Sequence, residues 1–196
     1  MAIYYATENA ADIISNSWAG PYPSETLEEV IDYAHSLGVI MVAAAGNNNS
    51  DSPVYPAYYE NMIAVAATNS NDQKATFSNY GYWIHLAAPG VDVLSLRAGG
   101  TSLGTIYDDY TTIASGTSMA CPHVAAIIAL IMSNHPDASK EVIVERLFAT
   151  TDDISIQNPG FDGLLGAGRA NAYKAVRDGF EGMVTFDSNT YSCDDT

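Results

Sequence analysis

Two uninterrupted apolar runs, Val39–Ala45 (VIMVAAA) and Met62–Thr68 (MIAVAAT), set the frame of the chain. A strand with one face in water alternates apolar and polar residues; a continuous run predicts a strand covered on both faces, as in a parallel sheet. Ahead of the first run, Leu27, Val30, Ile31 and Ala34 recur at helical spacing. Ser24 offers an N-cap, Glu28 and Glu29 place negative charge in the first turns, and Gly38 ends the helix. Ala11–Ser17 predicts a strand running into the turn cluster Trp18-Ala19-Gly20-Pro21, residues 2–9 the end of a helix, and Val91–Leu96 a further short strand. Strand, helix, strand at this spacing is a βαβ unit. The expected fold is α/β, doubly wound, with a mostly parallel sheet and helices on both faces. Thr117–Ser133 is apolar nearly all round and predicts a central, buried helix. Ser139 caps another through Thr150, and Asn171–Asp178 forms a last one.

After Gly179 the pattern changes: Met183–Phe186 alternates, and Asp187–Thr196 is polar. This divides the chain into 1–179 and 180–196, the second part being either the opening of a β-rich domain or a tail. A length of 196 residues supports one sizeable core. The longest apolar stretch, around Val124–Met132, is too short to span a bilayer. Net charge is −16, with 23 acidic against 7 basic residues, which argues against nucleic-acid binding and favours solubility. Cys121 and Cys193 are far apart and belong to no Cys/His cluster; the pattern reads as one buried thiol and one near the end, with no zinc site. The first eight residues have neither the basic nor the long apolar region of a signal peptide.

Chemistry concentrates in Ser115-Gly116-Thr117-Ser118-Met119-Ala120-Cys121-Pro122-His123-Val124-Ala125. A serine in the first turn of a buried helix is rigidly held near the positive end of the helix dipole, where developing negative charge is stabilised. Pro122 is tolerated that early in a helix. Read alone, Ser118 could equally be a helix cap. The whole stretch resembles the nucleophile motif of the subtilisin-like serine peptidases, G-T-S-M-A-x-P-H-V-A. The resemblance implies that Ser118 is the nucleophile and that Asn47, in Ala43-Ala44-Ala45-Gly46-Asn47, donates to the oxyanion. It further implies that Ser17-Trp18-Ala19-Gly20 pairs with a peptide substrate, with Ala44, Gly46 and Thr117 completing the substrate-binding set. Ala19 stands where the family usually has glycine, and Trp18 also reads as a core aromatic. Tyr55-Pro56 through Gly90 resembles the family throughout, which suggests a cis bond before Pro56. Some relatives hold calcium or sodium near this loop; Asn69 in place of an acidic ligand weakens that expectation, and no cofactor is required.

The resemblance also shows what these residues lack. In the subtilisin order Asp and His precede Ser, yet no D-[ST]-G or H-G-T-H motif lies within 1–117. Asp12 and Asp32 stand in the wrong contexts. His35 ends a helix, His85 sits in a strand pattern, and His135 precedes a proline. His123 is turned about 140° from Ser118 around the helix. The resemblance therefore implies the C-terminal part of a peptidase domain, completed by an N-terminal half carrying Asp and His. It implies a protein or peptide substrate, no membrane partner, and an extracellular or cell-surface location. The alternative from another class is a non-catalytic module that binds peptide strands or pairs with another chain.

Overall fold

The computed structural model describes residues 2–108 and 110–177. The proposed segment 180–196, with Cys193, lies outside them. The described residues form α1 (Ala2–Glu8), β1 (Ile13–Asn16), α2 (Glu25–Ser36), β2 (Ile40–Ala44), β3 (Ile63–Thr68), β4 (Leu86–Pro89), β5 (Val93–Leu96), β6 (Thr105–Ile106), β7 (Thr111–Ala114), α3 (Thr117–Asn134), α4 (Lys140–Ala149) and α5 (Ala172–Val176).

β1-β2-β3-β4 form one sheet, every pair parallel. Strand periodicity sorts its residues between two cores. Ile40, Val42 and Ala44 point with Val65, Ala67, Leu86 and Ala88 toward α3 and α4. Met41, Ala43 and Ala45 point with Ala64 and Ala66 toward α1 and α2. This is why the apolar runs are continuous, and it is the expected doubly wound α/β architecture. α3 crosses all four strands; its Ile128 and Ile131 are wholly buried, each worth about 1.5–3 kcal/mol relative to exposure.

The short strand expected over Val91–Leu96 is present as β5, Val93–Leu96, but outside the parallel sheet: it pairs antiparallel with β7, which pairs with β6, in a separate sheet. The fourth parallel strand is Leu86–Pro89, too short to declare itself beyond a strand pattern around His85. And α3 is not buried all round. Leu130 is 50% exposed and Pro122, Ala126 and Ala129 are also exposed, on the face of the helix turned away from the sheet core. At 18 residues α3 has the length and apolarity to cross a membrane, but it packs on the sheet as a core helix.

Candidate active site

The candidate site forms where three segments leave the sheet at one end. Ser17 follows β1, Gly46-Asn47 follow β2, and Ser118 lies in the first turn of α3. Open parallel sheets bind their ligands at this end, outside the carboxyl termini of the strands.

Ser17 and Ser118 lock the first and third segments together. Ser17 Oγ donates to Ser118 O at 2.8 Å, and Ser118 Oγ donates to Ser17 O at 3.2 Å. Asn47 is fixed from the same helix. Its Oδ1 accepts both the Thr117 N–H and the Thr117 hydroxyl, each at 2.9 Å. Thr117 Oγ1 accepts the Gly46 N–H at 3.0 Å. A backbone N–H can only donate, so the carboxamide orientation is decided: oxygen toward Thr117, Nδ2 away from it. Two donors then remain without an acceptor among the described residues, Asn47 Nδ2 and the Ser118 N–H. The latter is one of the orphan donors of a helix's first turn. Donors held in place beside a nucleophile stabilise an oxygen that becomes negative during attack.

Thr117 is wholly buried with its hydroxyl spent on Gly46 and Asn47, so its side chain reaches a substrate only through Asn47. Ala44 is likewise buried, inside β2, at 2% exposure. Gly20 differs from Ser17–Ala19: its N–H and C=O both pair with Tyr55 at 2.8 Å, so its main-chain donor is already taken. The main chain of Trp18 and Ala19 makes no hydrogen bond among the described residues, so these two keep their pairing capacity. Trp18 is 48% exposed and is not a core aromatic. Tyr55–Pro56 is cis.

None of the four histidines reaches Ser118 Oγ. His123 Nδ1 donates to Met119 O, in its own helix, at 2.8 Å. His35 lies in the last turn of α2 and His135 caps the end of α3. His85 Nδ1 accepts the Ala64 N–H at 3.0 Å, near the opposite end of the sheet, and burial lowers the ring's pKa. Asp32 accepts from Asn61 on the surface at 2.7 Å. Cys121, one turn beyond Ser118, is a buried thiol whose pKa burial pushes up.

The polar groups of the loop around Asn69 are engaged within the protein. Asn69 Oδ1 accepts the N–H groups of Asn71 and Gln73, and the Asp72 carboxylate pairs with Arg169. One residue that periodicity could not reveal is Asn79. It is 1% exposed and bonds to the backbone on both sides of Asn47.

Residues 1–168 match the subtilase family of peptidases, peptidase S8. The chain is 41% identical over 175 residues to thermitase of Thermoactinomyces vulgaris, covering 89% of this chain and 57% of that protein. It is equally identical to the thermophilic serine proteinase of Bacillus sp. (strain AK1), covering 40% of that protein. Among solved structures, a protease from Pseudoalteromonas arctica superposes with a TM-score of 0.75 at 36% identity, over 86% of this chain and 51% of the other. The prenylagaramide maturation protease PagA gives 0.77 at 25% identity, over 89% and 64%. The chain thus spans roughly half the length of these relatives. The match takes in every segment that meets at Ser118, and the chain belongs to the subtilase family.

Proposed function

We propose that this chain supplies the nucleophile, the oxyanion site and the peptide-binding strand of a serine endopeptidase. The general base and its orienting aspartate come from polypeptide outside these 196 residues. One observation carries the reading: Asn47 Nδ2 and the Ser118 N–H have no acceptor among the described residues and both lie against Gly116, 3.5 and 3.6 Å from where a Cβ would stand, with the Asn47 oxygen tied down by Thr117. A binding module needs no such pair.

In this reading a peptide lies along Ser17–Ala19 by main-chain pairing. Ser118 Oγ–H leaves its bond to Ser17 O and passes its proton to the incoming histidine as Oγ attacks the substrate carbonyl carbon. The carbonyl π electrons move to oxygen, and the oxyanion accepts from Asn47 Nδ2 and the Ser118 N–H. Collapse breaks the C–N bond, and the histidinium protonates the leaving amine. Water, deprotonated by the same histidine, attacks the acyl-enzyme, and Ser118 recovers its proton. The substrate is a protein or peptide, the partner is the portion bearing His and Asp, and the setting is extracellular or the cell surface, as among secreted family members.

The test is active-site labelling with a fluorophosphonate, with and without the polypeptide encoded upstream. Labelling that requires the upstream part and disappears in Ser118→Ala supports the reading. A complete protein that binds peptides but is neither labelled nor hydrolytic overturns it in favour of a binding module.

A further inference from the structure

The loop that carries Asn47 is gripped from behind as well as from the front. Asn49 has φ +49, so the loop turns through the left-handed region, and the N–H groups of Asn48 and Ser50 converge on one point. Successive N–H groups around such a turn form a concavity that attracts an oxygen. That oxygen is Asn79 Oδ1, accepting Asn48 N–H at 2.9 Å and Ser50 N–H at 3.1 Å. The Asn79 N–H donates to Gly46 O at 3.0 Å, and Tyr80 N–H to Ser50 O at 3.1 Å. Asn79 therefore holds the backbone immediately before and after Asn47. Its Nδ2 is buried with no partner among the described residues and lies against Gly46, where an added Cβ would come within 2.7 Å. An amide kept at 1% exposure with half its hydrogen-bonding capacity unused is retained for the other half.

We infer that Asn79 is a positioning residue of the catalytic apparatus. It sets the backbone from which Asn47 presents Nδ2, as Thr117 sets the side chain. The assignment rests on the reading of Asn47 as an oxyanion donor, and Asn79 touches no reacting atom itself.

In the complete protein, Asn79→Ala lowers kcat about tenfold with KM within about twofold, since transition-state stabilisation suffers and ground-state binding does not. In the Asn47→Ala background the same change moves kcat by less than about twofold, because its route is already gone. An equal loss in both backgrounds overturns the assignment. Amide hydrogen exchange in the Ser118→Ala form tests the clamp without activity. Asn79→Ala speeds exchange at Asn48 and Ser50, whereas Asn79→Asp, which keeps the acceptor oxygens and the shape, preserves protection. Unchanged exchange in the alanine variant, or lost protection in the aspartate variant, overturns the clamp. A complete wild-type protein without peptidase activity counts against the functional reading instead, and the exchange measurement still decides whether Asn79 holds the loop.

Discussion

Thr117 makes the sharpest residue-scale case, because one hydroxyl accepts from Gly46 and donates to Asn47. Thr117→Val keeps the shape and the N–H bond to Asn47 but deletes the hydroxyl. We expect kcat of the complete peptidase to fall about tenfold, the worth of one net hydrogen bond of about 1.4 kcal/mol, with recovery in Thr117→Ser. His85 is the second case. Its folded pKa is lowered by burial, and its Nδ1 accepts a backbone N–H only while unprotonated. The unfolded chain takes up that proton near pH 6.5, the folded one at lower pH, so stability is full above about 6.5 and is lost as pH falls through the folded value. Melting temperatures measured from pH 7.5 to 5 should show this step, and His85→Gln should flatten it. The sequence singled out Ser118 and Asn47 because the residues around each form a contiguous motif. Gly20 pairing with Tyr55, the inward turn of Thr117 and the grip of Asn79 depend on contacts between residues 29 to 71 positions apart, which no local pattern encodes.

Among the elements, the continuous runs of β2 and β3 and the capped helices α2 and α4 were readable because burial on two faces and a capping serine leave marks in consecutive residues. β5 was readable as a short strand, but β4, β6, β7 and the pairing of β5 with β7 were not, these strands being four residues or fewer and defined by their partners. The end of β4 sets the height of the nucleophile turn. Gly90 O accepts Gly116 N–H at 2.8 Å, and a Cβ on Gly90 would meet Ala67 Cβ at 2.7 Å and Gly116 O at 2.8 Å. Gly90→Ala should cost about 1–3 kcal/mol in urea unfolding through overpacking, and it should lower activity by displacing the start of α3. Farther along, Asp152 joins α5 to the sheet. Its carboxylate pairs with Lys174 and Arg169 and accepts from Asn171, and the bond from Lys174 is the main cause of its lowered pKa. This contribution is present above the ordinary carboxylate range and is lost on acidification through the folded value. Asp152→Asn should destabilise by about 1–2 kcal/mol at neutral pH, measured by chemical denaturation, and less in high salt.

Across the whole molecule, the exposed apolar face of α3 and the open edge of β1 lie side by side, while a net charge of −16 keeps copies apart. We expect the isolated chain to self-associate, more so when salt screens its charge, and to melt without a sharp transition. Sedimentation and calorimetry check this, and a monodisperse, cooperatively melting sample would contradict it. The layout also separates two kinds of acid sensitivity. Ser118, Asn47 and Ser17 gather where the strands end, whereas His85 titrates near where they begin, the strands of 4–6 residues between them spanning roughly 13–20 Å. If the chain works as proposed, the acid step of His85 and the proton transfer at Ser118 therefore lie at opposite ends of the sheet. A substitution at His85 is then expected to shift acid stability without touching any group that meets at Ser118.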